Sequence, residues 1–152
     1  MKVVITIPGK PFAKKRARGF YNPRLGRAVT VNDPANRSFE DVVRTAAAPY
    51  FPQPLDGPVR ITVTAIFAPA ASWSKKRRAA MLGAWHVQRP DGDNIAKAVK
   101  DGLNRIAWAD DCQVADLRTV KMWGETAATL IEVEAAAPLT DRQLRDQIVG
   151  EG

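Results

Sequence analysis

Residues 59 to 67 alternate strictly between apolar side chains and a mixed set that includes Arg60 and Thr62. A period of two places one set on each face of a β-strand, and the apolar set from Val59 to Phe67 favours burial. This segment predicts a half-buried strand in a sheet with one covered face. It constrains the fold more than any other part of the chain.

The rest of the chain supplies further strands and the helices that could cover such a sheet. Asp33 followed by Pro34 is a typical helix start, and we predict a helix to about Ala48. From Asp93 to Ile106, apolar residues recur at spacings of four and three, which predicts a helix with one buried stripe. The other predicted elements are a strand at Val3–Ile7, a short strand at Val29–Val31 paired with it, a helix ending at Met81 and capped by Ser72 or Ser74, antiparallel strands at Val114–Met122 and Thr126–Val133 that turn at Trp123–Glu125, and a helix at Asp141–Val149.

The length of 152 residues fits a single domain with one modest core. We predict an α+β fold in which helices pack on a mixed β-sheet. No apolar run approaches the roughly 20 residues that span a bilayer, and the run at Val3–Ile7 is too short for a signal peptide. We therefore expect a cytoplasmic protein that does not bind membranes. Because Cys112 and His86 are single residues of their types, any metal would be held mainly by oxygen, and we expect a structural role for His86.

Positive charge is concentrated in the first 32 residues, which contain eight Lys or Arg and no acidic residue. Aromatic residues and glycines are interleaved with these charges, which predicts a mobile cationic loop that contacts phosphates and stacks on unpaired bases. A solubilising loop or a docking site for an acidic protein is the alternative. A second basic run opens the helix that ends at Met81, and it is either a phosphate contact or a solvated face. The candidate DNA-binding residues are Lys10, Lys14, Lys15, Arg16, Arg18, Lys75, Lys76 and Arg77.

Acidic residues occur in two short segments near the middle of this basic chain. Asp91 and Asp93 flank Gly92 at a predicted helix start, and Asp110 and Asp111 follow Trp108. Converging carboxylates would favour a divalent cation such as Mg²⁺, with Lys97 near the charge that develops on a phosphate. Each pair also has a structural interpretation, because Asp93 could cap the helix and adjacent acids often only solvate a loop. The spacing along the sequence does not fix the distance between the two pairs.

The order of these motifs resembles the signature of RusA-type Holliday junction resolvases. The residues that carry the resemblance are Asp91-Gly92-Asp93-Asn94-Ile95-Ala96-Lys97, Asp101-Gly102-Leu103-Asn104, Trp108-Ala109-Asp110-Asp111-Cys112-Gln113-Val114 and Lys121. The resemblance implies catalytic roles for Asp91, Asp93, Asp111 and Lys97. It also implies that Asp91, Asp93 and Asp111 bind the metal, and we expect Asp110 to support them.

A RusA-like chain is expected to be a Mg²⁺-dependent endodeoxyribonuclease, with Mn²⁺ as an alternative ion. The resemblance further implies a homodimer that nicks paired strands of a four-way DNA junction. We expect residues 1–136 to form the RusA-like domain and residues 137–152 a tail with a short helix, which either packs on the dimer or covers a sheet edge. The alternatives are a nuclease for many branched DNAs and a DNA-binding protein whose acidic cluster is structural.

Overall fold

The computed structural model describes residues 1–150, so the last two residues of the predicted tail, 151 and 152, lie outside the described residues. The chain has an α+β fold with a mixed sheet, as predicted. No helix in residues 1–150 is long and apolar enough to cross a membrane. The strands are β1 (Lys2–Pro8), β2 (Arg18–Asn22), β3 (Arg27–Val31), β4 (Val59–Phe67), β5 (Val114–Trp123) and β6 (Ala128–Ala135), and the helices are α1 (Pro34–Ala47), α2 (Lys75–Met81), α3 (Gly92–Leu103) and α4 (Asp141–Val149).

The main sheet has the strand order β1-β6-β4-β5. β4 is antiparallel to β6 but parallel to β5, so β5 and β6 are not paired with each other. β5 and β6 run antiparallel and the chain reverses between them, as predicted, but β4 lies between the two strands, so they do not pair as a hairpin. The alternate residues Val59, Ile61, Val63, Ala65 and Phe67 are fully or almost fully buried. This burial suits the central position of β4, which lies between the two later strands.

The basic segment near the N-terminus is more ordered than predicted. β2 and β3 form a separate antiparallel hairpin in which Phe20 pairs with Val29. The predicted mobile loop is therefore wrong over residues 18–31, and so is the predicted pairing of Val29–Val31 with β1. The partner of β1 is β6 instead. Pairing Phe20 with Val29 joins an aromatic and a β-branched side chain, which favours a local hairpin.

Helices α1 and α3 pack against each other and against the sheet. The side chain of Asp33 accepts a hydrogen bond from the backbone of Ala35, which caps α1 at the predicted start. Helix α3 begins at Gly92 with Asp91 in the N-cap position, two residues before the predicted cap Asp93, and it ends at Leu103 rather than Ile106. Ile95, Val99 and Leu103 are fully buried, as the predicted stripe requires.

A close approach between α1 and α3 depends on Gly102. A Cβ atom added there would lie 2.8 Å from Cβ of Val43 and 2.9 Å from its Cγ1. Alanine usually stabilises a helix relative to glycine, but overpacking against a side-chain stem costs more. We expect Gly102→Ala to lower the free energy of unfolding by about 1–2 kcal/mol, measured by urea denaturation.

Ala98→Gly in the same helix is the reciprocal control, because it reports the ordinary preference for alanine over glycine. We expect it to be destabilising as well. A Gly102→Ala variant that is as stable as the parent protein would contradict the close approach of the two helices.

Candidate active site

One face of α3 lines a cavity of about 390 Å³. Asp93, Lys97 and Asp101 follow one another at intervals of four residues, so their side chains share a helical face, and Lys100 joins them at the cavity. The opposite wall comprises Asp111, Leu117 and Thr119. The structure therefore brings together Asp93, Lys97 and Asp111, three of the four residues predicted to be catalytic.

Asp111 is held by the hydrophobic core. The indole Nε1 of Trp108 donates a hydrogen bond of 2.9 Å to Oδ1 of Asp111, and the Trp108 side chain is fully buried. Asp111 itself begins a 3₁₀ turn that ends at Gln113. Oδ1 of Asp111 is therefore held by this hydrogen bond, and Oδ2 is the oxygen that can serve a ligand in the cavity.

The side chain of Gln113 fastens the acidic loop to the rest of the domain. Its Oε1 accepts hydrogen bonds from the backbone of Ala109 and Asp110. Its Nε2 donates to the carbonyl oxygens of Leu55 and Gly57. These four contacts fix the position of the loop that carries Asp111.

Asp91 lines a neighbouring hollow rather than the cavity that Asp93 and Asp111 share. This second hollow is lined by Asp91, Asn94, Arg16, Arg89 and Pro90. The backbone carbonyl of Asp91 accepts the hydrogen bond of Ile95 N at 3.3 Å, which starts α3. The predicted catalytic acids are thus arranged along two adjoining hollows at the start of one helix.

Asp110 has a local structural contact. Its Oδ1 accepts a hydrogen bond of 3.0 Å from the backbone N–H of Cys112, which caps the 3₁₀ turn. This hydrogen bond lowers the pKa of Asp110, and the interaction with Asp110 raises the pKa of the Cys112 thiol. The support that Asp110 was predicted to give a metal stays a prediction.

The carboxylates at the cavity suit a Mg²⁺ ion that also binds water and phosphate. No group of three His, Cys, Asp or Glu side chains within residues 1–150 is close enough to form a metal cage. Asp93 and Asp111 nevertheless face one cavity, and Mg²⁺ commonly uses one or two carboxylates together with waters and substrate phosphates. These residues therefore fit an ion that completes its coordination sphere with DNA.

The basic segment before β2 is tied to the helices. Lys14 forms an ion pair with Asp101, and its backbone N–H donates to the carbonyl of Asn94 at 2.9 Å. Phe12 stacks on Phe39 with ring centroids 4.9 Å apart, so one face of its ring is covered within the domain. Phe20 and Tyr21 are exposed on the hairpin.

A buried amide fixes this segment at two points. The side chain of Asn36 is 1% exposed. Its Oδ1 accepts a hydrogen bond from the N–H of Lys15, and its Nδ2 donates to the carbonyl of Lys15 and to Oδ1 of Asn32. Lys15 and Asn32 are therefore held at the base of the hairpin. Lys10, Arg16 and Arg18 are exposed around this segment, and Arg16 lines the hollow beside Asp91.

The second basic run lies elsewhere. Lys75, Lys76 and Arg77 form the first turn of α2, which Ser74 caps by accepting a hydrogen bond from the backbone of Arg77. Arg77 lies over the ring of Trp73 at 3.8 Å, and Lys75 lines a different hollow from the acids. The structure does not bring this run into either acidic hollow.

His86 is buried between aromatic rings. Its ring stacks on Phe67 at a centroid distance of 3.8 Å and packs at a tilt of 55° against Trp123, with the centroids 4.5 Å apart. Within residues 1–150 its Nδ1 has no hydrogen-bond partner. Burial, followed by the nearby charge of Lys121, lowers the pKa of His86. The side chain belongs to the packing of the domain, as predicted.

This lowered pKa makes the stability dependent on pH. The unfolded chain takes up a proton near pH 6.5, whereas the folded chain does so only at lower pH. We expect the free energy of unfolding to fall as the pH drops below about 6.5. We expect His86→Phe, which keeps the ring stacking, to weaken this dependence between pH 7 and pH 5. Urea denaturation at several pH values measures both proteins, and an unchanged slope in the variant would contradict this role.

Comparisons with known proteins give a family match and a similar bacterial protein. The model of the family described as endodeoxyribonuclease RusA matches residues 8–134. The chain is also 34% identical over 130 residues to uncharacterized protein YqaN of Bacillus subtilis (strain 168), which covers 81% of this chain and 89% of that protein. The family match includes both acidic hollows and stops before α4.

Proposed function

Because this chain belongs to the RusA endodeoxyribonuclease family, we propose that it is a Mg²⁺-dependent endonuclease that resolves four-way DNA junctions. Family membership supports the coarser role of a DNA endonuclease at Holliday junctions. The metal, the symmetric pair of nicks and the homodimer are our proposals. We also propose residues 1–136 as the catalytic domain and residues 137–152 as a tail attached to it.

The observation that carries this proposal is the shared cavity of Asp93, Lys97 and Asp111. Two carboxylates and an ammonium group at one cavity suit phosphodiester hydrolysis. The acids can hold a cation, and the ammonium group can stabilise negative charge on the phosphate. Asp91, in the adjoining hollow, would reach the same substrate from the side of Arg16.

Asp93 and Asp111 would hold Mg²⁺ or Mn²⁺, with Asp91 and Asp110 as the further acids along the same loops. When bound, such an ion supplies Lewis acidity toward a phosphoryl oxygen and makes a water molecule more acidic. Trp108 orients Asp111, so that carboxylate needs no rearrangement when the substrate arrives. Lys97 places a positive charge beside the scissile phosphate and lowers the free energy of the transition state.

Two such sites in a homodimer would suit a junction with nearly two-fold symmetry. The exposed basic residues near the hairpin, Lys10, Lys15, Arg16 and Arg18, would contact phosphates of the arms. Their contribution should weaken as the salt concentration rises, because bound DNA releases counterions from its phosphates.

A labelled mobile four-way junction, a duplex and a flap of matched sequence test this proposal. Each is incubated with the protein and either Mg²⁺ or EDTA, and the products are mapped on denaturing gels. We expect paired nicks at symmetric positions in the junction, only with Mg²⁺. Cutting of every branched DNA would favour the broader nuclease, and binding without cutting would favour a DNA-binding protein with a structural acidic cluster.

A further inference from the structure

The cavity contains a third carboxylate, Asp101, which none of the proposed catalytic roles uses. It lies two helical turns after Asp93 on the same face of α3, four residues after Lys97. A carboxylate at this distance along a helix is within reach of the Lys97 ammonium group. It also lines the same cavity as Asp93, so without a partner it would offer another carboxylate to a cation that enters the cavity.

The side chain of Lys14 forms an ion pair with this carboxylate. Its Nζ contacts Oδ2 of Asp101, and the two side chains are only 28% and 22% exposed. The backbone of Lys14 is bound to the carbonyl of Asn94 in the first turn of α3, and the backbone of Lys15 is bound to buried Asn36. Lys14 therefore reaches Asp101 from a segment that is fixed at two successive residues.

Lys97 forms no ion pair with any residue in the described part of the chain. Lys100 also lines the cavity and likewise forms no ion pair among the described residues, but of these two lysines Lys97 is the one spaced four residues from both Asp93 and Asp101. Lys14 is thus paired with an acid, whereas Lys97 is left for the substrate. We infer that Lys14 is a positioning residue that masks Asp101, so that a cation meets Asp93 and Asp111 alone and Lys97 stays directed at the scissile phosphate. This inference rests on the proposed nuclease function.

The inference predicts that the effect of removing Lys14 depends on Asp101. In Lys14→Met, the freed carboxylate should capture Lys97, and the cleavage rate at saturating junction should fall roughly tenfold to a hundredfold while the KM changes little. Asp101→Asn should retain the rate, because an amide carries no charge. The double variant Lys14→Met/Asp101→Asn should cut within about threefold of the wild type, since no carboxylate remains to be masked.

Lys15→Met is the matched control, because it removes a neighbouring charge that forms no ion pair within residues 1–150. It should raise the KM for DNA rather than lower the cleavage rate. If the double variant lost as much rate as Lys14→Met, Lys14 would be an ordinary DNA contact. If Asp101→Asn alone lost the rate, Asp101 would itself be part of the catalytic machinery or the pair would be structural, and the inference would be wrong.

A second measurement is independent of cleavage. Binding of Mn²⁺ to the protein without DNA is followed by electron paramagnetic resonance. Lys14→Met should bind the ion more tightly than the wild type, and the double variant should not. If the wild type failed to cut any DNA, the proposed function would fail while this cation measurement still decided the role of Lys14. Equal Mn²⁺ affinity in all the variants would overturn the masking.

Discussion

Asp93→Asn and Asp111→Asn should each abolish Mg²⁺-dependent cleavage of a four-way junction without loss of junction binding. Each substitution removes one of the two cavity carboxylates that we propose hold the metal ion. A metal ion contributes several kcal/mol to the stabilisation of a phosphoryl transition state, so we expect the cleavage rate to fall roughly a thousandfold or more. Junction affinity in EDTA should stay the same or increase, because a negative charge near the phosphates is lost.

Asp116→Asn is the matched control for these two variants. Asp116 is exposed on β5 and pairs with Arg60 at 2.6 Å, away from the cavity lining. We expect this variant to cut like the wild type. Asp91→Asn tests the adjoining hollow in the same assay, and we expect it to be inactive as well. An acid whose replacement leaves full cleavage would not belong to the site.

Lys97→Ala should lower turnover far more than affinity. The side chain lines the same cavity as Asp93 and Asp111, and its charge stabilises the transition state most, when negative charge increases on the phosphate. Removing one such group costs about a hundredfold in rate. Single-turnover cleavage at saturating junction gives the rate, and a gel-shift titration in EDTA gives the affinity.

Lys97→Arg distinguishes the contribution of the positive charge from that of its exact position. We expect a partial recovery of the rate, because the guanidinium keeps the positive charge but is broader and planar. Equal losses of rate and affinity in Lys97→Ala would make Lys97 a simple phosphate contact that does not favour the transition state.

Local patterns in the sequence predicted the individual elements well. The alternation from Val59 to Phe67 gave both ends of β4, and Asp33-Pro34 gave the start of α1. The pairing of strands was predicted less well, because a period of two identifies a strand without identifying its neighbours. β5 and β6 are close in sequence, yet the more apolar β4 lies between them.

Three of the four residues predicted to be catalytic line one cavity, but the sequence did not predict how they come together, and their roles stay predictions. Asp93 and Asp111 meet because β5 lies beside β4 and α3 packs over both strands, which depends on long-range contacts. The N-cap was misplaced by two residues because Asp91-Gly92-Asp93 offers two acceptable caps. Trp108, Thr119 and Asp101 were not identified as site residues, although a tryptophan three residues before an acid is a pattern that could have indicated an indole hydrogen bond to it.

The side-chain amide of Asn36 makes the β2–β3 hairpin a separable part of this domain. The Asn36 side chain is hydrogen-bonded to both Lys15 and Asn32. These bonds hold the two ends of residues 16–31 together, whatever the sequence of that segment. Lengthening this segment adds little to the entropic cost of closing it, about 0.6 kcal/mol for each doubling of its length. The hairpin can therefore be exchanged as a unit, and new DNA preferences can be introduced there while the frame that holds the carboxylates is left as it is.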